Sequence, residues 1–232
     1  MSGPNVQPYR FHEVDQAPPS PGIYAWYHQV TIPEPDIDAF IDRVRPSTAR
    51  PEQAAEELAQ EFLAAQIFSP HRETPYNVTL SGALKPEFNG TVEYRPPSAQ
   101  RLVEELAASP ERARMLAEVL LHVVPLFSSP IYIGIAKSSL RSRLQQHARL
   151  ISELRNAAAS RADRTKSEAN AESDTDPTYI QDHQFAREAI VVRKLSPLDL
   201  LVYVLPLNVD PTIALGVEYL LNRINYPLCG RN

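Results

Sequence analysis

The chain is poor in the residues that build crosslinked or metal-stapled folds. Of its 232 residues only Cys229 is a cysteine, so no internal disulfide can form and too few thiols are present for a zinc site. No apolar run approaches the ~18 residues of a membrane span. The N-terminal residues lack the basic and apolar regions of a secretory signal. These absences argue against a secreted scaffold or a membrane protein, and we expect a cytoplasmic protein.

Glycine is also scarce, with 7 residues, whereas proline reaches 22, which indicates stiff and irregular connections. The composition, 43% hydrophobic and 22% charged, is that of an ordinary globular protein. A chain of this length can bury a real core as one elaborated domain or two small ones.

The net charge of -5 is unevenly distributed. Residues 1–130 hold 10 Lys or Arg against 17 Asp or Glu, a net of -7, whereas residues 131–232 hold 13 against 11, a net of +2. Within 137–166 eight basic residues face two acidic ones. Such an excess suits phosphate contacts, with Lys137, Arg141 and Arg149 as candidates for binding nucleic acid. A solvated helix face is the equal alternative on charge alone.

The hydrophobic pattern predicts an α/β (α+β) protein. Strands are expected near 22–30, 130–136 and 199–206, the last apolar enough to be covered on both faces. Before them, residues up to Pro21 read as an irregular leader. Helices are expected at 36–45, 51–68, 98–108, 110–124, 138–156 and 211–225.

Two connecting regions have their own signatures. The stretch 76–95 predicts a hairpin with its turn at Asn89-Gly90. Residues 157–178 are small and polar with no apolar periodicity, which predicts a disordered loop.

The helix predicted at 138–156 carries two polar residues on its apolar face. Leu140, Leu144, Ala148, Ile151 and Leu154 form the apolar arc. Arg143 and His147 fall inside this arc and are four residues apart, hence neighbours on one stripe. Burying a guanidinium and an imidazole costs several kcal/mol unless something pairs with them. Either the polar ends of these two side chains emerge at the margin of the arc, or they belong to a buried site.

Glu218 lies in a similar position on the last predicted helix. The apolar stripe there is Ile213, Val217, Leu220, Leu221 and Ile224, and Glu218 borders it beside Val217. A carboxylate at such a boundary can point into a cleft and hold magnesium. A solvated flanking residue is the alternative.

The first two strands each carry a tyrosine next to a short glycine motif. Alternation places Tyr24, Trp26 and His28 on one face of the first strand. In the second, Tyr132 and Gly134 lie opposite Ile131, Ile133 and Ile135. A glycine inside a strand often marks a close approach by another group.

In chain order these features are Gly22-Ile23-Tyr24, Tyr132-Ile133-Gly134, the helix with Arg143 and His147, and a late helical glutamate. Together they resemble the GIY-YIG nuclease family over roughly 20–30 and 129–232. The resemblance implies a nuclease core at 1–30 and 129–232, built on a small antiparallel three-stranded sheet flanked by helices. Residues 31–128 would be an inserted helical subdomain containing the hairpin.

The resemblance also implies roles for single residues. Tyr24 and Tyr132 would orient and deprotonate the attacking water. Arg143 would bind the scissile phosphate, with Arg141 as a rival, and His147 would hydrogen-bond near Tyr24 and help it act as a base. Glu218 would hold Mg²⁺ or another divalent cation such as Mn²⁺. Asn232 is the candidate for the family's C-terminal asparagine, and Lys137 for a lysine that some members carry after their second triplet.

Size and layout are most similar to the type II restriction endonucleases of this family. The resemblance therefore implies site-specific hydrolysis of double-stranded DNA, and a palindromic target would call for a homodimer. Two alternatives stay open. One is a catalytically silent DNA-binding or assembly module, and the other is a structure-specific or phage-defence nuclease.

Overall fold

A computed structural model describes residues 6–45, 52–72, 75–82, 85–93, 99–162, 183–207, 211–225 and 227–229. The contacts divide the chain into two compact units. The first comprises residues 1–31 and 117–232, and the second comprises residues 32–116. The insertion was predicted at 31–128, so its C-terminal limit and that of the second unit differ by twelve residues. The boundary of the unit falls inside a helix, which no composition change marks.

The first unit is built on a four-stranded antiparallel sheet. Its strands are β1 (Gln7–Arg10), β2 (Gly22–His28), β5 (Tyr132–Ala136) and β6 (Leu200–Pro206), in the spatial order β1-β6-β2-β5. The mixed α/β class with an antiparallel sheet is confirmed. The prediction of three strands is wrong for this sheet, because the supposed irregular leader supplies β1. Pro8 is compatible with that strand since β1 is at the sheet edge.

Side chains alternate across the sheet as the sequence indicates. In β2, Gly22, Tyr24, Trp26 and His28 are buried, and the intervening residues are half-exposed. In β6 the buried residues are Leu200, Val202 and Val204, whereas the alternate positions are half-buried. The expectation that β6 is fully covered on both faces is therefore wrong. An antiparallel sheet can leave one face partly open to water.

Three helices accompany this sheet. They are α5 (Leu140–Ala162), α6 (183–187), which runs directly into a π-helical turn at Glu188–Val192, and α7 (Pro211–Asn225). Residues 157–162 were expected to begin a disordered loop but continue α5. Alanine occupies four of these six positions, and its high helix propensity extends the helix without apolar periodicity. The rest of the predicted loop, 163–178, lies outside the described residues.

The second unit contains α1 (Glu34–Val44), α2 (Glu52–Leu63), α3 (Gln100–Ala108) and the start of α4 (Arg112–Phe127). Phe40 of α1 stacks on Phe62 of α2 with ring centroids 4.4 Å apart. Strands β3 (Tyr76–Gly82) and β4 (Lys85–Val92) form a two-stranded sheet.

The hairpin exists, but its turn is not at Asn89-Gly90. These residues lie inside β4 and pair with Thr79 and Val78. Register explains the error, since Gly82 pairs with Lys85 and the chain therefore reverses between them. Thr79 also donates a hydrogen bond of 2.8 Å to the Asn89 side chain across the strands. Among the described residues, no helix is long and apolar enough to cross a membrane.

Candidate active site

The N-terminus of α5 is fixed to the segment that precedes β2. The backbone nitrogen of Leu140 donates to the carbonyl of Ser20 at 2.8 Å, and that of Arg141 donates to Pro18 at 3.1 Å. Leu140, Leu144 and Ile151 then bury one face of the helix completely. This apolar face carries His147 into the core beside β2.

Tyr24 and His147 form a direct, fully buried pair. The Tyr24 hydroxyl oxygen lies 2.7 Å from Nε2 of His147, although 123 residues separate them along the chain. His147 has no exposed surface. The alternative in which His147 emerges at the margin of the arc is therefore wrong. Its polar ring is accommodated because the tyrosine hydroxyl meets it inside the core.

Burial, and to a smaller extent the nearby positive charge of Arg143, lowers the pKa of His147 from 6.5 to about 3. A buried imidazolium loses the hydration that stabilises its charge in water, so burial favours the neutral ring. His147 is therefore a neutral imidazole at physiological pH. It can accept a proton from Tyr24 in a hydrogen bond or donate one, depending on its tautomer.

Arg143 reaches the same hydroxyl from one helical turn earlier. Its Nε donates to the Tyr24 oxygen at 3.3 Å, and its Nη1 donates to Gln146 at 3.3 Å. Arg143 is half-buried, so the guanidinium keeps a face toward solvent. Tyr24 thus has a permanent cation on one side and a neutral imidazole on the other. A donor of fixed positive charge therefore already faces the hydroxyl oxygen.

Aromatic rings enclose the pair. The ring of Tyr132 lies 6.2 Å from that of Tyr24 and 5.5 Å from that of His147, measured between centroids. Phe185 of α6 stacks on Tyr132 at 4.5 Å and meets the edge of His147 at 5.3 Å. Trp26 completes the enclosure at 6.4 Å from His147. Rings at these separations and tilts pack favourably and restrict how the imidazole can turn.

The glycines of both triplets are required by close packing. A Cβ on Gly134 would lie 2.5 Å from the Tyr24 hydroxyl and 2.9 Å from the ring of Tyr132. A Cβ on Gly22 would lie 2.4 Å from the carbonyl oxygen of Leu205 and 2.8 Å from the side chain of Leu140. Gly134 therefore makes room for the Tyr24 hydroxyl, and Gly22 lets α5 approach the sheet. The close approach expected at Gly134 is confirmed.

Glu218 on α7 belongs to the same electrostatic environment. It is half-buried, and desolvation raises the pKa of its carboxyl, whereas the positive charges of Arg143 and Lys137 act to lower that pKa. The two cations come from α5 and from the end of β5. Glu218 is thus partly withdrawn from solvent.

Asn222, one turn beyond Glu218, is a neighbour that sequence reasoning missed. Its Oδ1 is buried and has no hydrogen-bond partner among the described residues. Residues four apart share a helix face. A carboxylate oxygen and an amide oxygen on one face are the hard donors that magnesium prefers, usually completed by water and phosphate oxygens. The described residues contain no group of three His, Cys, Asp or Glu able to hold a metal by themselves. A cation held by Glu218 and Asn222 would take its remaining ligands from water and substrate.

The structure separates the three basic candidates for nucleic-acid binding. Arg141 donates from Nε to the Ala17 carbonyl at 2.8 Å and helps hold the segment before β2, which makes it a poor rival to Arg143. Arg149 is exposed and pairs with Glu153 at 2.8 Å, one turn away. Lys137 is exposed near Glu218. Asn232 lies outside the described residues.

Phe185 was also missed, because the sequence around it gives no periodic signal and follows a long polar stretch. Only the fold brings it against Tyr132 and His147. Compared with models of known families, with curated proteins and with solved structures, the chain shows no match.

Proposed function

We propose that this chain is a divalent-metal-dependent DNA endonuclease of the GIY-YIG type. The observation that carries the proposal is the Tyr24 hydroxyl, which lies between His147 Nε2 at 2.7 Å and Arg143 Nε at 3.3 Å. A purely structural tyrosine in a core needs one hydrogen-bond partner. This one has a cation in addition, next to a half-buried carboxylate on another helix.

Tyr24 is proposed as the general base. A free phenol titrates near ~10 and is a poor base at neutral pH. Tyr24 is proposed to release its phenolic proton to solvent before the attack; Arg143 then stabilises the phenolate, and neutral His147 donates to it from the tautomer that carries a proton on Nε2. The phenolate can then remove the proton of an attacking water. Tyr132, beside Tyr24, is proposed to orient that water through its own hydroxyl.

Arg143 is proposed to bind the scissile phosphate as well. Its guanidinium is half-buried and always charged, and its planar fork matches two phosphate oxygens. Charge builds on these oxygens during attack, so a fixed cation at that point lowers the barrier. Loss of one such group typically slows a reaction by about 10²–10³-fold.

Glu218 is proposed to hold the cation, with Asn222 beside it. When bound there, magnesium would supply charge neutralisation on the phosphate and leaving-group oxygens. Lys137 lowers the pKa of Glu218 and, as an exposed cation, suits a neighbouring phosphate of the backbone. In this proposal Tyr24 is the base, Arg143 binds the phosphate and Glu218 binds the cation.

The substrate is proposed to be double-stranded DNA cut at specific sites, as in a type II restriction system. The support is the presence of a second compact unit, residues 32–116, inserted between the two tyrosine strands of the first. Such a unit offers surface for base contacts that the catalytic unit does not need.

A plasmid digest tests this proposal. Wild-type protein is incubated with several plasmids and Mg²⁺, with and without EDTA, and compared with Glu218→Ala and Tyr24→Phe. We expect discrete fragments from the wild type, none with EDTA, and at least a 100-fold loss of rate in both variants. Plasmids without discrete fragments would contradict the restriction assignment, and unaltered cutting by Glu218→Ala would contradict the cation site.

Two matched controls accompany the digest. Glu153→Ala removes an exposed carboxylate of α5, and Tyr203→Phe removes a hydroxyl from the opposite face of the sheet. Both should cut at the wild-type rate. A wild type that binds DNA but does not cut under any divalent cation would favour the silent binding module instead.

A further inference from the structure

Helix α7 differs from an ordinary amphipathic helix in the face that it exposes to solvent. At about 100° per residue its sequence divides into two faces. One face is half-buried and contains Val217, Glu218, Leu221, Asn222 and Asn225. The other face is exposed and consists of Ile213, Leu215, Gly216, Tyr219, Leu220, Arg223 and Ile224. The polar residues thus point inward and most of the large apolar residues point outward.

This exposed face departs from the sequence-based expectation. Ile213, Leu220 and Ile224 belong to the apolar stripe that the sequence predicts, yet each exposes between 58% and 72% of its surface. Glu218 lies on the half-buried face instead, although desolvation raises the pKa of its carboxyl more than the charges of Arg143 and Lys137 lower it. The apolar stripe encoded in the sequence is real, but the described residues do not bury it.

The apolar face is large enough to form the centre of an interface. Five large side chains at about half exposure or more supply roughly 500 Å², which is near the upper end of the largest patches on monomers and more than half of the ~800 Å² that each partner contributes to a standard complex. Scattered apolar residues on a surface need no explanation, but a continuous face along one helix does.

Gly216 lies in the middle of this face. A Cβ built there meets nothing within 4 Å, so no neighbour in the chain requires a glycine. A glycine in a helix interior costs about 1 kcal/mol relative to alanine. A helix that crosses α7 closely at this point would explain the residue, because the missing side chain allows two backbones to approach.

We propose that the exposed face of α7 is the contact surface of a symmetric dimer of this chain. Arg223 is the single charged residue on the face, and its guanidinium lies 5.3 Å from the centre of the Tyr219 ring. A nearly uncharged face can meet its own copy without repulsion, as a two-fold interface requires. One arginine is far fewer than the several basic residues that a phosphate surface needs, which argues against DNA as the occupant.

The consequence concerns Glu218 and Asn222. They lie on the opposite face of the helix that the dimer would cover, so association would fix the helix that carries the proposed cation site. The interface itself stands on the exposed residues and does not depend on nuclease activity.

Sedimentation velocity of the full chain, without DNA or divalent cation, tests the dimer. At tens of micromolar we expect twice the mass of one chain for the wild type. The double variant Leu220→Lys/Ile224→Lys should sediment as a monomer, with an unchanged far-ultraviolet circular dichroism spectrum since both side chains are exposed. Leu198→Lys, at a position 69% exposed on a turn before β6, should remain dimeric.

Gly216→Leu provides a second variant that adds apolar bulk instead of charge. We expect it to weaken association at least tenfold, because it blocks the close approach of two helices. A monomeric wild type at these concentrations would overturn the proposal, and so would a dimer that survives both α7 variants. Either result would leave the plasmid digest to decide the nuclease function separately.

Discussion

Helices α5 and α7 both carry residues of the candidate site, but they are held in opposite ways. Helix α5 buries its apolar face, and with it the polar residue His147. Helix α7 exposes its apolar face and turns Glu218 and Asn222 inward. In α5 packing determines where the functional residue lies. In α7 the half-buried face carries the functional residues, and most of the large apolar side chains are left in water.

The difference teaches that an apolar stripe predicts burial only when nothing polar competes with it. On α7 the half-buried face holds Glu218 and Asn222, and desolvation raises the pKa of the Glu218 carboxyl despite the nearby charges of Arg143 and Lys137. The same competition is absent in α5, where the tyrosine hydroxyl meets the buried imidazole directly.

The largest expected effect is on the rate of DNA cleavage. It tests whether α5 and α7 have separate chemical roles. Arg143→Lys keeps a charge but loses the fork, and we expect the cleavage rate to fall about 10²–10³-fold. The cleavage rate of Glu218→Asp should fall by a similar factor. Raising the Mg²⁺ concentration should restore part of the activity of Glu218→Asp but none of that of Arg143→Lys.

Metal titrations of single-turnover cleavage measure this difference. If raised Mg²⁺ restored the activity of both variants equally, Arg143 and Glu218 would not have the separate roles of phosphate binding and cation binding. Arg149→Ala is the control for loss of an arginine on α5 and should keep the wild-type metal dependence.

The next largest expected difference between α5 and α7 is in how much their leucines contribute to the free energy of unfolding. Leu144→Ala in α5 should lower the free energy of unfolding by about 2–5 kcal/mol, because it leaves a cavity in a fully buried site. Leu220→Ala in α7 should change it by less than about 0.5 kcal/mol in dilute protein, where association does not contribute. Urea denaturation over a range of protein concentrations measures both. A loss above 2 kcal/mol for Leu220→Ala in dilute protein would show that its side chain is buried within one chain.

The pH dependence of stability should have opposite signs for the two helices. His147 has a folded pKa of about 3, below its ordinary 6.5, so the unfolded state binds its proton first. Stability from this group is full above pH 6.5 and is lost as pH falls toward 3, by about 1.4 kcal/mol per pH unit. Glu218 has a raised pKa, so its contribution is present at low pH and is lost as pH rises through its folded pKa.

Unfolding of His147→Gln and Glu218→Gln between pH 7 and pH 4 isolates each group from the others that titrate. The difference between wild type and His147→Gln should shrink as pH falls. An unchanged difference would mean that the imidazole is solvated enough to take up its proton in the folded protein.

The smallest expected effects are on stability and DNA binding, and they distinguish Arg141 from Arg149 on α5. Arg141→Ala should cost about 1 kcal/mol of stability, because the Ala17 carbonyl loses its donor in a part-buried site. Arg149→Ala should cost less than about 0.5 kcal/mol, since its pair with Glu153 is exposed. If Arg149 contacts phosphate, the salt dependence of DNA binding should decrease by about one unit of slope in Arg149→Ala alone. The same decrease in Arg141→Ala would contradict a structural role for Arg141.

The sequence by itself determined the local features. Strands β2, β5 and β6 and most helices follow from alternation, helical periodicity and proline positions. Arg143, His147 and Glu218 could be selected as candidates, because polar groups on or beside apolar faces need partners. Tyr24 and Tyr132 could be selected because their triplets resemble those of the GIY-YIG family. The need for Gly134 could be expected too, since a glycine inside a strand signals a close approach.

The tertiary structure alone decided the rest, because each of these outcomes depends on what lies opposite a residue in space. Strand β1 forms only because β6 offers an edge, and Asn89-Gly90 enters β4 because strand register places the reversal elsewhere. Phe185 joins the site from a segment with no periodic signal. The half-burial of Glu218 near cations at the end of β5 and on α5 depends on neighbours that no pattern within α7 records.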